Sequence, residues 1–111
     1  MTMDANEYQR LALRTEAPGR AECARLLNAA LGLTGEAGEF SDTLKKHLFH
    51  DHPLDERALR AELGDVLWYV ALACDALGLR LGDVMHENIE KLRRRYPDGF
   101  SSARSLRREA E

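Results

Sequence analysis

The sequence predicts an all-α chain of four helices, and three observations carry that reading: helix formers dominate, β-branched residues are scarce, and Pro18, Pro53 and Pro97 fall where apolar periodicity also breaks. No segment reads as a strand, and no internal repeat or low-complexity stretch is evident. The expected architecture is a four-helix bundle assembled as an oligomer.

The first helix runs from about Asn6 to Thr15, with Asp4 and Glu7 spaced like a capping box, and stops at Ala17-Pro18-Gly19. The second runs from about Ala21 to Phe49, with Leu26, Leu27, Ala30, Leu33, Ala37, Phe40, Leu44 and Leu48 as a broad apolar stripe. Gly32, Gly35 and Gly38 interrupt that helix at a spacing of three, which suggests a bend or the close approach of another element, since each costs about 1 kcal/mol relative to alanine. The third helix starts after Pro53 with Asp55 as its cap and ends at Leu77, before Gly78. The fourth spans about Gly82 to Arg95 and ends at the turn Tyr96-Pro97-Asp98-Gly99.

With 111 residues and 44% hydrophobic content the chain suits one domain over residues 1–100, followed by a polar, flexible tail at 101–111. A core this small gains from oligomerisation. The 16 basic and 19 acidic side chains leave a net charge of −3, so bulk charge does not point to nucleic acid, and any polyanion must be held by a local cluster. Cys23 and Cys74 lie within amphipathic helices, where buried free thiols are expected. No apolar run approaches the roughly 20 residues that span a bilayer, and the polar start lacks a signal-peptide core, so the expected address is the cytoplasm, without membrane attachment.

Four carboxylates carry the chemistry. Glu36 with Glu39, and Glu62 with Asp65, each present two acids from adjacent turns of one helix face. The short connection between the second and third helices packs them antiparallel and can bring the pairs together. Four unneutralised acids would repel, and a hard cation such as Mg²⁺ or Mn²⁺ relieves that repulsion through oxygen ligation. The competing reading, acids on a solvated helix face, is weakened by the small or uncharged neighbours Gly35, Ala37, Gly38 and Gly64. On the fourth helix Asn88, Lys91 and Arg95 follow an i, i+3, i+7 spacing, offering an amide, an ammonium and a guanidinium to a phosphate, against the alternative of an ordinary basic surface. Lys46, ten residues after Glu36, reaches either the phosphate tail or solvent.

The motifs Glu36-Ala37-Gly38-Glu39 and Glu62-Leu63-Gly64-Asp65, 22 residues apart, resemble the E-x-x-E and E-x-x-D signature of the MazG-like nucleoside triphosphate pyrophosphohydrolases, an all-α superfamily. The strings LGLTGEAGEF, ELGDVLWYV and ENIEKLRRRYPDGF extend the likeness over about Asn6 to Phe100. The resemblance implies Mg²⁺-dependent cleavage of a nucleoside triphosphate to the monophosphate and pyrophosphate, in a role such as nucleotide-pool housecleaning, by a homodimer or homotetramer. It implies that Glu36, Glu39, Glu62 and Asp65 are catalytic metal ligands, with Lys91, Arg95 and the supporting Asn88 on the phosphates. Many relatives carry a further glutamate where this chain has Gly35, which leaves the metal count and the water-activating base, Glu36 or Glu39, open.

For the base, Tyr69, one turn after Asp65, is the stronger stacking candidate and Trp68, rotated by about 100°, the weaker. Asn28, Tyr8 and Gln9 could read a base edge. His47, His50 and His52 with Asp51 invite a transition-metal reading, but histidines at a helix C-terminus are ordinary caps and the E-x-x-H pairs of di-iron bundles are absent. The alternative to an enzyme is a non-catalytic helical module that binds metal, nucleotide or, through Arg93 to Arg95 and the arginines of the tail, nucleic acid.

Overall fold

The computed structural model describes residues 2–107, which form five α-helices: α1 Ala5–Ala12, α2 Glu22–Phe49, α3 Glu56–Ala76, α4 Leu81–Arg95 and α5 Ser102–Leu106. A 3-10 turn at Leu13–Thr15 continues α1 to the point where the sequence ends its first helix. The chain is all-α as expected, and none of these helices is long and apolar enough to cross a membrane.

Local chemistry fixes the boundaries. The Asp4 carboxylate accepts from the backbone N–H of Glu7 at 2.8 Å and Asp55 from that of Ala58 at 3.0 Å, each satisfying an amide that the first helical turn leaves open. The third helix closes in a Schellman turn: Gly78 adopts φ 75°, its N–H donates to Asp75 O at 2.9 Å and that of Leu79 to Cys74 O at 2.8 Å. At the α2 end His47 Nδ1 lies 2.8 Å from His52 O, so this ring closes the turn into α3. Among the described residues no group of three or more Asp, Glu, His or Cys side chains is poised to hold a metal, the histidine segment included.

The N-terminus of α4 is capped from a distance. Arg80 supplies no side-chain cap, and Gln9 and Asn6 of α1 do so instead: Gln9 Oε1 accepts from Leu81 N and Asn6 Oδ1 from Gly82 N, both at 2.9 Å. Gln9 Nε2 also donates to Ala71 O at 3.3 Å and Leu79 O at 3.1 Å. Both Nε2 protons of this buried amide and one lone pair of its oxygen are used in joining α1, α3 and α4, which leaves it no donor for a base edge.

An antiparallel pair, α2 and α3, dominates the packing, with α1 lying across α3 and α4. The core is small. Ala71, Cys74 and Leu81 are buried together beneath Ala5, Tyr8, Val70 and Val84, while Ala29 and Leu72 are buried as well. Much of the expected apolar stripe stays open: Leu33, Phe40 and Leu44 are half-buried, whereas Leu26, Leu27, Ala30, Ala37 and Leu48 are exposed. The radius of gyration is 17.1 Å, against about 13 Å for a compact domain near this size.

The structure departs from the expectations at Cys23 and at two of the α2 glycines, and it adds a short helix within the expected tail. Cys23 is exposed, not buried, because it falls on the open side of α2 shared with Leu27 and Ala30, whereas Cys74 is buried. The polar segment after Phe100 forms α5, whose Ser101 hydroxyl accepts from Arg104 N at 3.3 Å; the rest of the expected tail, 108–111, lies outside the described residues. Of the three α2 glycines only Gly32 meets another element, since nothing lies within 4 Å of where a side chain would start at Gly35 or Gly38.

Candidate active site

Glu36 and Asp65 line one open cleft of about 360 Å³ together with Thr15, Trp68 and Tyr69. Helix α2 supplies Glu36 and α3 supplies Asp65 and both aromatic rings, so the antiparallel pairing brings the first acidic motif opposite the second, as the spacing predicts. Glu36 Oε2 is occluded from solvent and has no hydrogen-bond partner. A charged oxygen in that position is costly. Burial pushes the Glu36 carboxyl above the ordinary range, and the charges of Glu39 and Asp65, a hydrogen bond with Glu39 and the charge of Glu62 push it further in the same direction. The other three acids thus all bear on Glu36, although among the described residues no three acids are grouped closely enough to hold a metal ion.

Glu62 is engaged from α2. The Thr43 hydroxyl lies 3.1 Å from each of its carboxylate oxygens and orients the group from the facing helix. Thr43 also lines a second groove of about 680 Å³ at the α2–α3 corner, where Lys46 and Arg57 supply positive charge. Lys46 pairs with Asp42 at 3.2 Å, both side chains being about half exposed, a contact of little energetic weight.

The aromatic wall is locked in place. Trp68 Nε1 donates to Ala12 O at 3.0 Å and to Thr15 Oγ1 at 2.9 Å, and the Trp68 and Tyr69 rings meet edge to face at 5.1 Å and 84°. Both rings line the cleft. The segment after Thr15 is pinned by Arg25, whose guanidinium grips Glu16 through Nε at 2.7 Å and Nη2 at 3.0 Å and also reaches Asp75 and Glu22. Burial, then the charge of Asp65, raises the phenol of Tyr8 on α1.

The α4 residues stand apart. Neither Asn88, Lys91 nor Arg95 lines the cleft; Asn88 is exposed, while Lys91 and Arg95 are half-buried. Sequence reasoning missed Thr15 and Thr43. The i+7 spacing from Glu36 could have flagged Thr43, but Thr15 reaches the cleft through a turn that no helical periodicity describes.

Fold and site together define the class: an all-helical chain in which Glu36 and Asp65 face one cleft across an antiparallel helix pair. The comparisons narrow this to one family. Residues 25–100 match the model of the MazG nucleotide pyrophosphohydrolase domain, and the chain belongs to that family. It is 37% identical over 89 residues to the Gene 37 protein of Mycobacterium phage L5, covering 74% of this chain and 78% of the phage protein. No solved structure matches.

Proposed function

We propose that this chain is a divalent-metal-dependent nucleoside triphosphate pyrophosphohydrolase, which converts a (d)NTP to the monophosphate and pyrophosphate. The observation that carries this reading is the occluded, unpartnered Glu36 Oε2 beside Asp65, under the charge of Glu39 and Glu62, within the residues that match the family domain. An all-carboxylate donor set suits Mg²⁺ or Mn²⁺, and an orphaned anionic oxygen is what such a set leaves without its cation. Glu36, Glu39, Glu62 and Asp65 are the residues that would hold it. A bound cation would neutralise phosphate charge and acidify a coordinated water.

The remaining work falls to the chain's own groups. Glu36, whose occluded Oε2 has no hydrogen-bond partner at the cleft, is the residue we assign to accept the proton of the attacking water. Thr43 holds Glu62 in register, and the Trp68–Tyr69 wall positions the nucleoside, fixing the reacting phosphate relative to the acids. Lys91 and Arg95, supported by Asn88, and Lys46 lie outside the cleft, and their assignment to the departing pyrophosphate rests on their spacing and the family resemblance.

Assembly as a homodimer or homotetramer is part of the same proposal. Leu27, Leu31, Leu63 and Met85 are each more than half exposed on α2, α3 and α4, at 60%, 66%, 54% and 52%. Apolar exposure on this scale marks an interaction surface, and a second copy is the partner that the small core and the extended shape call for.

The test is a panel of canonical, deoxy and damaged triphosphates with Mg²⁺ or Mn²⁺, scoring pyrophosphate separately from orthophosphate. Pyrophosphate release by the wild type, lost in Glu36→Gln and Glu62→Gln, is the expected result. Absence of turnover with every triphosphate, or full activity in Glu62→Gln, would sink the proposal and favour a binding module.

A further inference from the structure

The Thr15 hydroxyl has a fixed polarity. Its single proton is committed to Ala12 O at 2.7 Å, and one lone pair is taken by the Trp68 indole N–H at 2.9 Å. A hydroxyl carries one donor and two acceptor sites, so what Thr15 has left is one acceptor. The Trp68 Nε1 proton is likewise spent, shared between Ala12 O and Thr15 Oγ1. This corner of the cleft therefore has no donor to offer from either side chain, while both aromatic rings line the space beside it.

We infer that Thr15 is a base-reading residue that accepts a hydrogen bond from an exocyclic amino group, so that the cleft prefers cytosine and adenine to uracil and hypoxanthine. The inference rests on the nucleotide reading of the cleft proposed above. Cytosine N4 and adenine N6 present donors where uracil and hypoxanthine present carbonyl oxygens. A carbonyl facing the free lone pair meets repulsion and forfeits its own bond. The donor is assigned to the base and not to the sugar because a planar ring is what Trp68 and Tyr69 can stack or edge against. Thr15 cannot turn its hydroxyl round to suit a carbonyl without giving up the Ala12 bond, and the Glu16–Arg25 fork holds the adjoining backbone.

Trp68 is the sole tryptophan, so its fluorescence reports binding in this cleft without any turnover. Titrations of the full chain with dCMP, dUMP, dAMP, dIMP and CMP, in the wild type, Thr15→Val and Thr15→Ser, test the inference. The wild type is expected to bind dCMP about tenfold more tightly than dUMP, and dAMP more tightly than dIMP, the scale of one neutral hydrogen bond. Thr15→Ser, which keeps the oxygen, preserves the ratio; Thr15→Val brings it close to one. Equal wild-type affinities, a ratio retained in Thr15→Val, discrimination between CMP and dCMP with none between dCMP and dUMP, or no binding of any monophosphate overturns the assignment. Because binding is read separately from pyrophosphate release, a chain that shows the base preference without turnover refutes the hydrolase proposal alone.

Discussion

The phenol ring of Tyr69 occupies the space that a side chain on Gly32 would need, so the two residues are a matched pair across the α2–α3 interface. The edge-to-face contact with Trp68 fixes the ring from its other side. Gly32→Ala is expected to displace Tyr69 and to cost about 1–3 kcal/mol, the range for overpacking a fitted contact. Gly38→Ala faces open space in the same helix and should instead gain up to about 1 kcal/mol from helix propensity. Urea denaturation of both variants decides it; equal effects would mean that the ring yields freely.

That pair also shows where the sequence was readable. Three glycines in a helix announced a close approach without saying which of them met it, because helical spacing gives the face of one helix and not what stands against it. The motif acids were legible for the same reason: Glu36 and Asp65 are set by periodicity on two helices with a short connection, and they do face one cleft. Thr15 was not, because it arrives through the 3-10 turn after α1. Cys23 misled because position in an amphipathic helix does not say which side is covered, and this chain leaves the side of α2 that carries Cys23, Leu27 and Ala30 open.

Thr43 and Glu62 give a test of preorganisation. The hydroxyl donor sits 3.1 Å from both carboxylate oxygens, and it is on the helix opposite its acceptor. Thr43→Val keeps the shape and removes the donor. Loss of such an orienting partner commonly weakens a metal site about 10- to 100-fold, so the Mn²⁺ affinity measured by calorimetry should fall by roughly tenfold, with little change in helicity. Unchanged affinity would mean that Glu62 finds its geometry unaided or is no ligand.

The two cysteines should react on different clocks. Cys23 is exposed, and Cys74 is buried with its thiol pushed up by that burial. A raised value means less thiolate at any given pH, and the thiolate is the nucleophile. An aromatic disulfide reagent near pH 8 is expected to modify one thiol quickly and the second only in denaturant, and Cys23→Ser should abolish the fast phase. If both thiols are slow in the native protein, the open side of α2 that carries Cys23 and Leu27 is covered by a partner, which would map the subunit interface to that side.

Glu36 makes stability depend on pH in a direction opposite to that of a salt-bridged acid. Its carboxyl is raised in the folded chain, by burial first and then by Glu39, Asp65 and Glu62, so ionising it opposes folding. The penalty is absent below the ordinary carboxyl range, grows as the pH rises towards the folded value, and is present in full above it. In the presence of a chelator, Glu36→Gln should therefore have a higher urea midpoint than the wild type at pH 7.5, and that advantage should shrink away as the pH falls below 4. Added Mg²⁺ or Mn²⁺ should reverse the order, because a cation bound by the folded acids stabilises the wild type by mass action and has one ligand fewer in the variant. A wild type that is the more stable of the two in chelator at pH 7.5 would show that the acids are already neutralised within the chain, and would remove the physical reason for placing a metal among them.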